Sequence, residues 1–258
     1  MIIQPQHIAT YVINLARATE RMQHMQAQLN QLSIPFTRIE AVLGNELKLP
    51  IPEFDERKFN ILTGKQANPG EIGCYLSHIQ TLRAFLDSNS SYALVLEDDV
   101  NLPANLMQIL ASACTHGKHW DLLRLTSSRE GEFLPIAPLM EPYQLGYNIR
   151  VLKNTGAYFI NRNAANLVIK HLLPMCLPYD VALDREWDCG FKTACIHPFP
   201  IQLESFEGQI NKAPRIRLYR STTFHLFHLY THIQRKKIRK GYHKALKEAT
   251  PAASTTGR

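Results

Sequence analysis

The segment Tyr92-Ala-Leu-Val-Leu96 carries no charge and ends directly on Glu97-Asp98-Asp99. An apolar run of that length, preceded by the turn residues Asn89-Ser-Ser91, suits a strand buried on both faces. Such strands belong chiefly to α/β sheets, whose ligands bind beyond the carboxyl ends of the strands. Three carboxylates placed there repel one another, and a divalent cation relieves the repulsion. In an extended chain successive side chains alternate, so Glu97 and Asp99 share one side and Asp98 takes the other. Oxygen ligands of this kind suit Mn²⁺ or Mg²⁺, and such an ion also bridges a diphosphate. The competing reading is an acidic turn that only solvates a strand end.

The rest of the pattern supports an α/β class. Ile8–Ile13 reads as a first buried strand, followed by a turn over Asn14–Thr19. Met22, Met25, Leu29 and Leu32 recur at helical spacing, and Ser33-Ile-Pro35 stops that helix. Phe36–Val42 reads as a strand, and Gly44–Lys65 as an irregular, mobile loop. A helix opens at Glu71, with Ile72, Leu76, Ile79, Leu82 and Phe85 on its apolar side. Asn105–Cys114 is a helix and Trp120–Leu125 a strand. Arg129–Tyr147 is turn-rich, with Pro135, Pro138 and Pro142. Thr155–Ile160 is a strand, Ala164–Leu173 a helix and Ala194–Ile196 a short strand. Alternation of this kind predicts a mostly parallel sheet with helices on both faces.

Composition narrows the class. With 258 residues, 45% hydrophobic and 20% charged, the chain buries a real core and is neither disordered, collagenous nor a disulfide scaffold. No apolar stretch approaches the length of a membrane span, and the N-terminus lacks the pattern of a signal peptide. The five cysteines lack CxxC spacing, which points to reduced thiols and a cytoplasmic location. Cys189 and Cys195 give only a weak zinc signal.

The net charge of +7 is unevenly placed. Residues 1–207 hold 17 basic and 21 acidic residues, whereas residues 208–258 hold 12 basic residues and one acid, Glu248. A basic end alone is weak support for a nucleic-acid partner, because the acidic domain and its carboxylate triplet repel phosphates; no nucleic acid is expected. Phe224, Leu226, Phe227, Leu229, Tyr230 and Ile233 precede the basic run Arg235–Lys240. Residues 224–240 thus read as a peripheral anchor on an anionic membrane surface, or as a helix packed on the domain with a solvated basic end. His225, His228 and His232 fall on one helical face and read as a solvated or lipid-facing stripe.

Several blocks converge on one family. Tyr11-Val-Ile-Asn-Leu15 with Arg17 and Arg21, Pro69-Gly-Glu-Ile-Gly-Cys-Tyr-Leu-Ser-His78, Leu94-Val-Leu-Glu-Asp-Asp99, Asn154-Thr-Gly-Ala-Tyr-Phe-Ile160 and Pro178-Tyr-Asp180 together resemble glycosyltransferase family 25. The resemblance covers roughly residues 8–210. It implies a single GT-A-like (Rossmann-like) nucleotide-sugar-binding domain over residues 1–213; beyond it the charge pattern, which is less specific to the family, leaves a basic helical tail over 214–258 with a disordered end. It also implies a UDP-sugar donor, a divalent metal, and inverting transfer of galactose to a glycan or glycolipid acceptor in lipooligosaccharide synthesis, peripheral on the inner membrane. A literal Asp-x-Asp is absent; Glu97 stands at the first ligand position.

Roles follow residue by residue. Glu97 and Asp99 are the metal-ligand candidates, and Asp98 a hydrogen-bond partner of the donor ribose or sugar. The base that deprotonates the acceptor hydroxyl comes from Asp180, Asp184, Glu186 and Asp188. A helix over Val181–Trp187 would align Asp180, Asp184 and Asp188 on one face. The resemblance ranks Asp180 first and Asp188 second. Asn14 and Arg17 lie where the nucleotide arrives, with Arg21 a solvated helical residue. Glu71 caps the helix dipole or meets the donor, and Ser77, His78, Thr155 and Gly156 line the donor site. Tyr158 reads as core. Ser205 and Gln209 lie in a late polar segment that returns to the metal or diphosphate. The alternatives are a UDP-sugar-binding protein without turnover and a nucleic-acid-binding module acting through the tail.

Overall fold

A computed structural model describes residues 7–204 and 213–249. Strand β1 (Ile8–Asn14) leads into helix α1 (Thr19–Gln31) and strand β2 (Thr37–Glu40). Helices α2 (Glu56–Thr63) and α3 (Pro69–Asp87) precede strands β3 (Tyr92–Glu97) and β4 (Val100–Asn101). Helix α4 (Leu106–Cys114) and strands β5 (Leu122–Arg124), β6 (Phe133–Pro138), β7 (Gln144–Asn148) and β8 (Ala157–Asn161) follow. Then come α5 (Arg162–His171), α6 (Tyr179–Leu183), α7 (Glu186–Cys189), β9 (Thr193–His197), β10 (Gln202–Leu203), α8 (Arg217–Ser221) and α9 (Thr223–Ala249).

Among the described residues, eight strands form one sheet in the order β2-β1-β3-β8-β5-β9-β7-β6, and β10 pairs β4 beside it. β1 is parallel to β2 and β3, and β5 to β9, whereas β8 and β7 run against their neighbours. Six strands therefore share one direction, and the mostly parallel α/β reading holds. Alternation explains why both faces are covered. Ala93 and Val95 of β3 pack with Ile72, Tyr75, Ile79, Leu82 and Phe85 of α3. Leu94 and Leu96 pack with Met25 and Leu29 of α1 and with Leu106, Ile109 and Leu110 of α4. The parallel strands end together, so Asn14 and Glu97 emerge at one edge of the sheet.

Several local expectations change. Gly44–Lys65 is not uniformly irregular. Asp55 accepts a hydrogen bond from Lys58 N and caps α2, which Gly64 ends at φ +64°. Arg129–Tyr147 contains the β6–β7 hairpin, with a register shift between Pro135 and Ala137 where proline has no N–H to donate. The helix expected over Val181–Trp187 is broken: α6 stops before Asp184 and α7 begins at Glu186. Asp180, Asp184 and Asp188 therefore do not line one helical face.

That break serves a buried ion cluster. Arg239 of α9 binds Glu186 through Nε at 2.8 Å and Nη2 at 3.0 Å, a two-pronged pair. Asp184 lies 3.5 Å from Arg124, 3.7 Å from Arg239 and 3.8 Å from Arg235, and accepts Leu152 N at 2.8 Å. All five charged side chains are buried. Over its described residues the basic tail is thus packed onto the domain. The run Arg235–Lys240 divides: Arg235 and Arg239 turn inward, while Lys236, Lys237 and Lys240 are exposed. Phe224 and Phe227 are half-buried, whereas His225, His228 and His232 face outward. Residues 205–212, including Ser205 and Gln209, lie outside the described residues.

Breaking a buried pair strands its partner's charge, at a cost of about 3–5 kcal/mol. Arg239→Ala is expected to lower the urea-unfolding free energy by about that amount, and adding Glu186→Gln is expected to recover part of it. A loss within error of zero would show that the pair is not buried in solution.

Candidate active site

The three carboxylates leave β3 in different directions. Glu97 turns toward α3, where its Oε1 lies 3.3 Å from His78 Nε2 and accepts Thr155 Oγ1 at 3.1 Å. Asp98 turns the other way. It accepts Asn14 Nδ2 at 2.6 Å and Arg21 Nη1 at 2.9 Å, and Asn14 Oδ1 accepts Arg38 Nη2 at 2.7 Å. Asp98 and Asp99 form the turn between β3 and β4, so that turn, and not the alternation expected of an extended chain, separates Asp98 from Glu97. Arg21, read as solvated, is instead committed to Asp98.

Asp99 is left over. Its Oδ1 is buried and has no hydrogen-bond partner among the described residues, while its backbone carbonyl accepts Glu204 N at 2.8 Å. Burial and the Glu97 charge push its carboxyl up to about 7, against the pull of Arg21. Burial also works to raise the Glu97 carboxyl, but the His78 hydrogen bond and charge and the Thr155 hydroxyl hold it below the usual range. An orphaned carboxylate oxygen beside an ionised Glu97 is a donor set that a hard divalent cation fits.

His78 is fixed by aromatic neighbours. Its ring stacks on Tyr179 at 4.2 Å and 7°, and Nδ1 lies 3.2 Å from Tyr158 Oη, itself 3.3 Å from Tyr179 Oη. Tyr158 is core, as expected, with its hydroxyl used on the histidine. α3 carries His78 and begins in a capping box between Asn68 and Glu71. Glu71 also pairs with Lys65, so it serves the helix end. Ser77 accepts Val42 N at 2.8 Å. A Cβ on Gly73 would sit 2.4 Å from Val42 O, so only glycine lets the segment after β2 lie this close to α3. Ser77 thereby positions a wall of the site.

Thr155 and Gly156 enter from β8. Glu97 N donates to Gly156 O at 2.7 Å. A Cβ at Gly156 would meet Asn154 Oδ1 at 2.8 Å and Leu203 at 3.0 Å. Asn154 sits at φ +76°, a region asparagine tolerates. Its N–H donates to Asp180 Oδ2 at 3.3 Å, and its carbonyl accepts Arg124. Asp180 also accepts Val181 N at 2.8 Å. Burial raises its carboxyl, with Arg124 and the two backbone N–H groups opposing.

Cys74 joins these groups. Burial and the charges of Glu97, Asp180, Asp99 and Glu71 push its thiol well up. The structure thus brings Asn14, His78, Glu97, Asp98, Asp99, Thr155, Gly156 and Asp180 to one edge. It does not bring Asp188, which is exposed and bound by Arg185 at 2.7 Å, nor Asp184 and Glu186, which belong to the buried ion cluster. Arg17 is exposed at the turn after β1. Sequence reasoning missed Cys74, Arg38, Arg124 and Asn154. The i, i+4 spacing of Cys74 and His78 was the one available signal. A cavity of about 380 Å³ is lined by Ser127, Arg129, His197, Phe199, Gln202 and Leu203, the last of which pairs with Val100.

Comparison with known proteins adds to the geometry. The family model described as Glycosyltransferase family 25 (LPS biosynthesis protein) matches residues 7–139. The Lipooligosaccharide biosynthesis protein lic2B of Haemophilus influenzae is 33% identical over 187 residues, 67% of each chain. Procollagen galactosyltransferase 1-A of Xenopus laevis is 26% identical over 69% of this chain and 31% of its own length. "Probable inactive glycosyltransferase 25 family member 3" of Rattus norvegicus is 26% identical over 77% of this chain. The match spans 36% of that rat protein and 35% of a glycosyltransferase of Haemophilus influenzae, about a third of each.

The raised Asp99 carboxyl has a sign for stability. Because its folded value exceeds the ordinary one, its ionisation penalises the fold increasingly as pH rises to about 7, and the full penalty remains above it. In EDTA, Asp99→Asn is expected to raise Tm at pH 8 by at least about 2 °C, with the gain vanishing near pH 4. Thermal denaturation at the two pH values checks this; an equal shift at both would refute the buried charge.

Proposed function

Because the chain belongs to glycosyltransferase family 25, we propose that it transfers a hexose, galactose in the first instance, from a UDP-sugar to a glycan or glycolipid acceptor in lipooligosaccharide synthesis. The reading is of an inverting transfer on a GT-A-like domain. The observation that carries it is the orphaned Asp99 oxygen beside ionised Glu97 at the edge of a parallel sheet.

Glu97 and Asp99 would hold Mn²⁺ or Mg²⁺, which when bound supplies charge neutralisation at the leaving diphosphate. The chain's own residues do the rest. Asn14, Asp98 and Arg38 form a hydrogen-bonded cluster beside the site, suited to a nucleoside. Thr155 and His78 hold Glu97 in place, and Gly156 lets Asn154, Leu203 and Val100 close around the end of β3. Asp180 is the base: its raised carboxyl and its fixed orientation on Asn154 and Val181 suit removal of a proton from an acceptor hydroxyl. In an inverting reaction the acceptor oxygen forms the new bond to the anomeric carbon from the face opposite the departing UDP. The cavity at Leu203, with Phe199 and His197 in its wall, suits an acceptor sugar ring. Asp188, ion-paired at the surface, has no part in this reading.

Helix α9 supports a place on an anionic membrane surface. Leu226, Leu229 and Ile233 are 69%, 58% and 52% exposed on one face, which continues into Lys236, Lys237 and Lys240. No helix among the described residues is long and apolar enough to cross a membrane, so the association proposed is peripheral, on the inner membrane.

A screen of UDP-sugars with Mn²⁺ and a lipooligosaccharide acceptor tests the function. Wild type is expected to release UDP with one donor, EDTA to stop it and Mn²⁺ to restore it, and Asp99→Ala to lose transfer while keeping its circular dichroism. Donor binding without turnover would instead favour the inert reading suggested by the rat relative's name. Full activity in EDTA would sink the metal role. In flotation assays, phosphatidylcholine–phosphatidylglycerol vesicles are expected to capture wild type, and Leu226→Asp with Ile233→Asp to cut capture at least about tenfold. Equal capture by pure phosphatidylcholine would argue against the lysine face.

A further inference from the structure

Behind the oxygen ligands lies a second set of donors of different chemistry. Cys74 Sγ, a ring nitrogen of His78 and a Glu97 carboxylate oxygen lie within 4.8 Å of one another. Cys74 and His78 are one turn apart on α3, and Glu97 faces them from the end of β3. We propose that this triad is a binding site for a zinc-class ion, distinct in chemistry from the oxygen set that Glu97 forms with Asp99.

The spacing fits. His78 Nε2 and Glu97 Oε1 stand 3.3 Å apart, long for a charge-assisted hydrogen bond. Two ligands bound tetrahedrally at about 2.0 Å are separated by about 3.3 Å. The ion therefore enters between them without displacing either, and rotation of the Cys74 side chain brings the third ligand in. A thiolate, an imidazole and a carboxylate form a set that selects zinc-class ions over Mn²⁺ and Mg²⁺, leaving a fourth position for water.

The surroundings orient the ligands. His78 Nδ1 meets Tyr158 Oη at 3.2 Å, which directs Nε2 to the site, and the Tyr179 stack holds the ring. Thr155 Oγ1 fixes Glu97 Oε1 at 3.1 Å. The charges of Asp99, Asp180 and Glu71 also bear on Cys74 and favour a cation there. Because Glu97 belongs to both sets, occupation of the rear set withdraws it from the front one. On the proposed function, zinc-class ions are then inhibitors that Mn²⁺ opposes; the site itself does not depend on that function.

The full chain titrated with Co²⁺ is the test. Wild type is expected to develop a thiolate-to-cobalt charge-transfer band and the strong visible bands of a four-coordinate ion. Cys74→Ser is expected to lose the charge-transfer band, and Asp99→Asn to retain it. Absence of the band in wild type, or its persistence in Cys74→Ser, overturns the site. A measurement on wild type alone guards against a variant that does not fold. Zn²⁺ is expected to slow iodoacetamide alkylation of Cys74, read by peptide mass spectrometry, at least about tenfold, whereas Mg²⁺ does not. Unchanged alkylation overturns the proposal, and loss of UDP-sugar turnover in the functional screen has no bearing on either result.

Discussion

Strand β3 has no face on which to leave a charge. Ala93, Val95, Leu94 and Leu96 are all fully buried, so the first polar positions available are those past its end. Ionised groups emerging from such a strand are stable only where partners converge, and the neighbouring elements supply them. α3 brings His78 to Glu97, and β1 with α1 brings Asn14 and Arg21 to Asp98. β8 returns between β3 and β5 to add Thr155 and Gly156. Among the described residues, Asp99 Oδ1 is left without a hydrogen-bond partner, and burial with the Glu97 charge outweighs the pull of Arg21 on that carboxyl.

Much of this was legible in the sequence because it rests on local rules. A buried apolar run located the strand and the acidic triplet at its end, although Asp98 and Asp99 lie in a turn and not in the expected extended chain. Asn68 and Glu71 lie at the spacing of a capping box at the start of α3. What escaped depends on partners distant in sequence. Asp184 and Glu186 look like a solvated acidic run, and Arg235 and Arg239 like a basic tail. Their pairing closes loops of about fifty residues, which no local pattern reveals. The hairpin β6–β7 was hidden by Pro135 and Pro138, which edge strands and bulges tolerate. Cys74 has no metal-motif spacing with another cysteine, and its place beside His78 and Glu97 appears only once α3 and β3 converge.

Helix α9 shows how net charge misleads when read by segment. Arg235 and Arg239 are buried with Arg124 against Asp184 and Glu186, so two of these three positive charges are offset inside the protein. The lysines on the opposite side keep theirs. Two faces of one helix thus have separate tasks, anchoring inward and presenting outward.

The buried ion cluster also orders events during synthesis. Asp184 and Glu186 leave the ribosome some fifty residues before Arg239 does, and Arg239 additionally bonds Asn148 O, 91 residues away. Until α9 arrives, Asp184 has only Arg124 of its three arginines, and Glu186 lacks the arginine that binds it. A chain without α9 therefore leaves Glu186 without that partner. Arg124, which the same cluster holds, is the residue that braces Asn154 against Asp180. A chain lacking α9 would thus lose support at the far side of the candidate site, which ties that site to a helix some fifty residues further along the sequence.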